Sequence, residues 1–319
     1  MFDVLCVGLL VGDIIVSPVS KNIMEIDTCP IQRIGYFTGG DALNAAVALS
    51  RLSKKVKAVG VVGDDVMGHL IMENACREGV DMSGVIMGGA PTSTSIVLSE
   101  NNGERHFAFL HGANELLAEH MILDQDLQAS QIIYVGSAMA LKSLDGNGLA
   151  RLLERAKGMG KLTAFDCTFD KDGLWLHKIK KALRFTDIFI PSYEEAAAIT
   201  GKTDPPEMAR FFSGYGLRVF GVKLGAAGSY LTDFVNDFHI SAFPANVTDT
   251  TGAGDCYMAG FLAAYPESRD AGEAGVFASA AAKFCVEAMG AASNIPSFET
   301  VRKYVAEHNC AYEKTPFRA

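Results

Sequence analysis

The stretch "DTTGAGD" at 249–255 brings three small residues, two threonines and two carboxylates together at the start of an apolar helix pattern, "CYMAGFLAA". Gly252, Ala253 and Gly254 leave the first backbone N–H groups of that helix uncovered. Those donors, together with the positive end of the helix dipole, suit an anion such as a phosphoryl group. Asp255 adds a carboxylate in the same turn. Beside an anion site it makes chemical sense as the acceptor of a proton from an attacking hydroxyl, while plain capping of the helix start is the simpler alternative.

Two other phosphate patterns fail on spacing. "TGKT" at 200–203 lacks the upstream glycine of a P-loop, whose place is taken by Ala196, and reads as a helix end followed by a turn. "GAGDCY" puts Tyr257 where a dinucleotide fingerprint needs its third glycine.

These residues must be positioned by a large α/β scaffold. Apolar runs at 4–12, 56–63, 131–138, 161–166, 187–192 and 219–225 read as strands covered on both faces. Helical patterns at 41–52, 65–79 and 146–160 lie between them, which argues for a mostly parallel sheet between two helical layers. Segments at about 14–38 and 92–111 break the rhythm. They read as amphipathic strands, with "NNGE" at 101–104 as a hairpin turn, and would form a small sheet beside the main one or an extension of its edge. The Ala-rich run 277–284 predicts close helix packing, and the last eleven residues are expected to fray.

Composition sets the outer limits. Hydrophobic residues at 49% and charged residues at 20% allow a substantial core in one domain spanning 1–319. The net charge of −9, without a basic run, argues against a nucleic-acid partner. Seven scattered cysteines without a CxxC pair fit reduced thiols in the cytoplasm and disfavour a zinc site. The N-terminus is interrupted by Asp3 and Asp13 and reads as a buried first strand rather than a leader or a membrane span.

At every fixed position "DTTGAGD" resembles the D-T-x-G-A-G-D signature of the ribokinase-like, or PfkB, carbohydrate kinases. The similarity continues through "GGDALNAAVALSRLS" (39–53), "VGVVGDDVMG" (59–68), "HGAN" (111–114), "VKLGAAGSY" (222–230) and 277–296. The resemblance implies a three-layer α/β/α sandwich with a small β-sheet lid, and transfer of the γ-phosphoryl of ATP to a sugar hydroxyl. Asp255 would be the base, and the amides of Gly252, Ala253 and Gly254 the anion hole. Asp13, Gly39, Gly40, Asp41, Asn44, Asn114 and Asp166 would meet the acceptor; Asp41, taken singly, could equally cap its helix.

On the nucleotide side the resemblance implies Lys223, Gly225 and Gly228 near the phosphates, a plain tight turn between strands being the alternative for the glycines, with Ser279 standing where relatives often carry Asn. Glu195 would hold Mg2+ through water, although Ser192 replaces the family's Asn there, and an ordinary solvated helix start is the alternative. Asp249 and the Thr251 carbonyl would hold a K+-like ion. Arg33 and Arg105, in the expected lid segments, could pair with an anionic group and so favour a sugar acid or phosphosugar; a nucleoside acceptor, or a silent sugar or nucleotide sensor, stays open. A homodimer through the lid is a further implication, with no membrane contact.

Overall fold

A computed structural model describes residues 1–100, 104–308 and 312–318, with Arg105 described by its backbone alone. In chain order its strands are β1 (Phe2–Gly8), β2 (Val11–Val19), β3 (Arg33–Gly39), β4 (Val56–Val62), β5 (Asp81–Met87), β6 (Thr94–Glu100), β7 (Arg105–Leu110), β8 (Ser130–Ala138), β9 (Leu162–Cys167), β10 (Ile188–Phe189), β11 (Val219–Lys223), β12 (Ser229–Thr232), β13 (Asn236–Ile240) and β14 (Tyr312–Pro316). The helices are α1 (Asp41–Arg51), α2 (Val66–Arg77), α3 (Asp124–Gln128), α4 (Asn147–Gly158), α5 (Leu176–Ile179), α6 (Tyr193–Thr200), α7 (Pro205–Phe212), α8 (Ala253–Ser268), α9 (Ala271–Val286) and α10 (Phe298–Glu307).

The main sheet runs β5-β4-β1-β8-β9-β10-β11-β12-β13-β14. It is parallel from β5 to β11 and antiparallel from there to β14. The two-residue alternation of a strand divides its apolar side chains between two cores. Val4, Cys6, Ile132 and Tyr134 face α1, α2, α8, α9 and α10, whereas Leu5, Val7, Ile133 and Val135 face α3, α4, α6 and α7. The result is the expected α/β/α sandwich.

A separate sheet of order β3-β2-β6-β7 sits beside it. The run read as one strand at 4–12 is therefore shared. β1 ends at Gly8, and the chain crosses at Leu9 and Leu10 into β2. Three of the four residues expected to form the turn at 101–104 lie outside the described residues. The chain terminus differs from expectation, because Tyr312–Pro316 pairs antiparallel with β13 as an edge strand. Its partner supplies a backbone ladder that a reading of local composition does not reveal. Gly201 ends α6 in the left-handed conformation, so "TGKT" is a helix terminus. Among the described residues no helix is long and apolar enough to cross a membrane.

Candidate active site

The residues singled out by their chemistry converge at the carboxyl ends of the parallel strands, where β1 lies between β4 and β8 and connections leave in opposite directions. Crevices of open α/β sheets form at such switch points. Asp41, Asp166, Glu195, Lys223, Gly252, Ala253, Gly254 and Asp255 all line one cavity of about 630 Å3 there.

Gly252 is the residue before α8, at φ 75°, and a Cβ on it would lie 2.4 Å from the Ala291 Cβ. Only glycine combines that left-handed turn with so close a neighbour. No side chain caps the start of α8; the Ala253 N–H donates to the Thr250 carbonyl at 3.2 Å, and the N–H groups that follow it have no side-chain cap. Asp255 does not fold back as a cap either: its Oδ2 accepts a hydrogen bond of 2.8 Å from the Nδ2 of Asn44 on α1.

Asp41, on the same face of α1 one turn earlier, also looks into the cavity. The Ser137 hydroxyl donates to its Oδ2 at 2.5 Å. Ser137 follows a register irregularity between β8 and β9 and sits at φ 64°. Irregularities of this kind re-aim single side chains. Across the cavity Asp166, at the end of β9, is ion-paired with Lys223 at the end of β11. The two strands are separated only by β10.

So many buried carboxyls raise one another. Burial first, and then the Asp41 charge, hold Asp255 well above the ordinary carboxylate range, against the pull of Asn44 and Lys223. Burial likewise pushes Asp41 and Asp13 up to about 6. Burial, followed by the Asp166 charge, pushes Glu195 up to about 7. Burial opposes the Lys223 ammonium, but Asp166 and Glu195 more than offset it and its pKa rises. Glu195 also completes a capping box with Ser192: its Oε2 accepts from the Ser192 N–H at 2.8 Å, and the Ser192 hydroxyl accepts from the Glu195 N–H. Glu195 is thus a half-buried cavity residue, not a solvated one.

Lys223, Gly225, Thr250, Ala253 and Gly254 border a second cavity as well, of about 490 Å3. Phe243, Pro244, Val247, Ala282 and Val286 give it apolar walls. Ser279 lines it and donates to the Ser241 carbonyl at 3.2 Å. Gly228 lies at its rim, where φ is 93° and a Cβ would come within 1.9 Å of the Ile240 carbonyl oxygen. Asp13 on β2 reaches Gly39, where a Cβ would meet its Oδ2 at 2.2 Å, and Gly40 at φ 92° leads into α1.

Two expected positions, Asn114 and Arg33, do not line these cavities, and a third, Arg105, is described by its backbone alone. Asn114 is 1% exposed, and its amide is committed to the crossover, donating to the Leu10 carbonyl at 2.8 Å and accepting from the Leu10 N–H at 3.1 Å. It holds the step between the sheets and does not face the acceptor. Arg33 and Arg105 begin β3 and β7, opposite Ser17 and Ser99. At about 3.4 Å per residue, Arg33 lies roughly 20 Å along the strand from Gly39, and Arg105 lies roughly 17 Å from Leu110, which pairs with Thr94 at the inner end. Arg33 thus sits at the far end of its strand from the turn into α1, and of Arg105 the backbone alone is placed. The Asp249 Oδ1 accepts from the Thr251 N–H at 3.0 Å and from its hydroxyl at 2.7 Å, and the Cys285 thiol approaches the Thr251 carbonyl at 3.6 Å.

Sequence reasoning missed Ser137, the apolar walls of the second cavity and Tyr134, whose buried hydroxyl has no hydrogen-bond partner among the described residues. A serine in "VGSAMA" has no spacing signature; its role arises from the irregular end of β8.

Residues 1–297 match the pfkB family of carbohydrate kinases, and the chain belongs to that family. A 5-dehydro-2-deoxygluconokinase of Clostridium perfringens is 26% identical over 98% of this chain and 95% of its own. A nucleoside kinase of Methanothermobacter thermautotrophicus is 29% identical over 87% of each chain. The structure of Arabidopsis thaliana ribokinase complexed with ribose and ATP superposes with a TM-score of 0.80 at 25% identity, over 95% of this chain and 98% of that one.

Proposed function

We propose that the protein transfers the γ-phosphoryl group of ATP to a hydroxyl of a monosaccharide or sugar derivative. The observation that carries this reading is the junction of the two cavities: an apolar one and a carboxylate-lined one meet at Lys223, Gly225, Thr250, Ala253 and Gly254, at the uncapped start of α8. The base and ribose of ATP suit the apolar cavity. The acceptor suits the other, in reach of Asp255.

In the step itself the acceptor oxygen forms a bond to the γ-phosphorus, the bond from that phosphorus to the bridging oxygen breaks, and ADP leaves. The acceptor proton passes to an Asp255 oxygen. Asn44 orients that carboxylate, and the α8 N–H groups and Lys223 meet the charge on the moving group. Mg2+, for which Glu195 and Asp166 supply oxygen donors on the cavity wall, would screen the phosphates. Asp249 and the Thr251 carbonyl are the donors we assign to a K+-sized ion. The small sheet, which carries Asp13 and Gly39 on β2 and β3, acts as a lid beside the carboxylate-lined cavity, and two chains associate through it.

The test is ADP release by purified protein with ATP, Mg2+ and K+ across hexoses, pentoses, sugar acids, phosphosugars and nucleosides. Wild type is expected to give acceptor-dependent ADP, and Asp255→Asn to lose about 100-fold or more in kcat with nucleotide affinity kept. Near-normal turnover by Asp255→Asn would sink the assignment of the base. The similarity to a nucleoside kinase makes nucleosides the second acceptor class in that panel.

A further inference from the structure

Four carboxyl side chains, those of Asp41, Asp166, Glu195 and Asp255, face the acceptor cavity, and among the described residues Lys223 is its one lining cation. That cation is already ion-paired with Asp166. Lys283, on the nucleotide side, is paired with Glu287 at 2.7 Å. Asp13 adds a fifth carboxyl against Gly39, two residues before Asp41. An ATP polyphosphate brought here has the uncapped N–H groups of α8 beyond Ala253 to meet it. A second anion, carried by the acceptor, has no comparable partner among the described residues of these walls.

Asp41 is held there by construction. It is the first residue of α1, its orientation is fixed by the Ser137 hydroxyl, and Ser137 is held in a left-handed conformation by the irregular end of β8. A strained residue whose one visible product is the aim of a carboxylate points to a use for that carboxylate. With one oxygen receiving Ser137, the remaining lone pairs are acceptors for hydroxyl or ammonium donors. Burial of Asp41 and its raised pKa fit a group that completes its hydrogen bonding only with such a donor bound.

Resting on the kinase reading above, we infer that the acceptor is a polyol bearing hydroxyls or an amino group toward Asp41 and no anionic group, so that neutral sugars and amino sugars are taken and sugar acids and phosphosugars are refused. Asp41 is the specificity-determining residue, rejecting anions by like charge as much as it attracts donors.

The experiment measures kcat/KM for matched acceptors, such as glucose, glucosamine, gluconate and glucose 6-phosphate, with ribose and fructose sets alongside. Binding of each to wild type, with and without a non-hydrolysable ATP analogue, is followed by calorimetry. Neutral and amino members are expected to exceed their anionic counterparts by about 10-fold or more, the scale of a like-charge juxtaposition. Asp41→Asn is expected to shrink the amine-to-acid ratio by about 10-fold, and Ser137→Ala, which keeps the carboxyl but removes the hydroxyl that orients it, to shrink it less. A preference for the acids in wild type, or an unchanged ratio in a folded Asp41→Asn protein, overturns the inference while leaving the kinase intact. Binding of sugars or amino sugars without turnover would remove the kinase reading and keep the selectivity. Failure of every neutral and amino member to bind at tens of millimolar overturns the selectivity too.

Discussion

Asp41 carries its charge at a cost that can be followed with pH. Its carboxyl is pushed up to about 6 by burial, with Asp166 adding to the rise and Ser137 and Lys223 opposing it. The unfolded chain has it near 4. Between those values the folded state binds the extra proton, so this group's stabilising contribution is full below about pH 4 and is lost as pH rises through about 6. Asp41→Asn deletes that dependence. Relative to wild type, the variant is therefore expected to gain on the order of 1–2 kcal/mol between pH 5 and pH 7.5, whatever fixed offset the lost Ser137 bond introduces. Urea unfolding at both pH values checks it, and a gap that stays constant or moves the other way refutes it. At this scale the sequence was partly legible. Asp255, Asn44 and the glycines could be singled out by their types, but the pairing of Asn44 with Asp255 spans 211 positions and that of Asp166 with Lys223 spans 57. Those pairings are products of strand order, which no local spacing encodes.

Helices α8 and α9 position the catalytic turn, and their contact rests on small residues. A Cβ added to Gly260 would lie 2.9 Å from the Ala278 Cα and 2.9 Å from the Ala281 Cβ. Alanines at 278, 280 and 281 are fully buried on the facing helix. This is the close packing anticipated from the Ala-rich run, and it brings α9 near enough for Cys285 to reach the 291 carbonyl that Cys256 also meets. Gly260→Val must separate the helices or strain them. A loss of about 1–3 kcal/mol is expected, the usual cost of overpacking, seen as a lower urea midpoint with an unchanged slope. Because Asp255 precedes Gly260 by more than one turn of the same helix, kcat in the folded variant should fall less than in Asp255→Asn. A variant as stable as wild type would show that the contact is looser than its geometry. Strands and long helices were readable from periodicity. The edge strand β14 and the division of residues 4–12 between two sheets were not, since both depend on which distant backbone offers a free ladder.

Over the whole molecule, the charge of −9 keeps chains apart at long range, yet the small sheet offers a surface that favours contact. Val16 lies opposite Ile34, and Ile14 lies opposite both Tyr36 and Ile96, so these five side chains share one face of β3, β2 and β6. Ile34, Tyr36 and Ile96 are 53%, 55% and 39% exposed. A contiguous apolar patch of this kind on a free surface commonly marks an interface. A second copy of the chain is the partner we expect. Its lid, bearing the same patch, is self-complementary about a two-fold axis. Light scattering at micromolar concentration should then give about twice the 34.1 kDa chain mass. Ile34→Glu combined with Ile96→Glu, at positions exposed enough to leave folding stability nearly unchanged, should give the single-chain mass. A wild-type chain that scatters as a monomer throughout, or a double variant that remains paired, would place the interface elsewhere. The monomeric variant also separates two contributions to turnover. If pairing holds the lids, with their Asp13 and Gly39, against the acceptor, KM for the acceptor rises in the double variant while the nucleotide KM stays near its wild-type value, because the second cavity lies wholly on the main sheet side of the molecule.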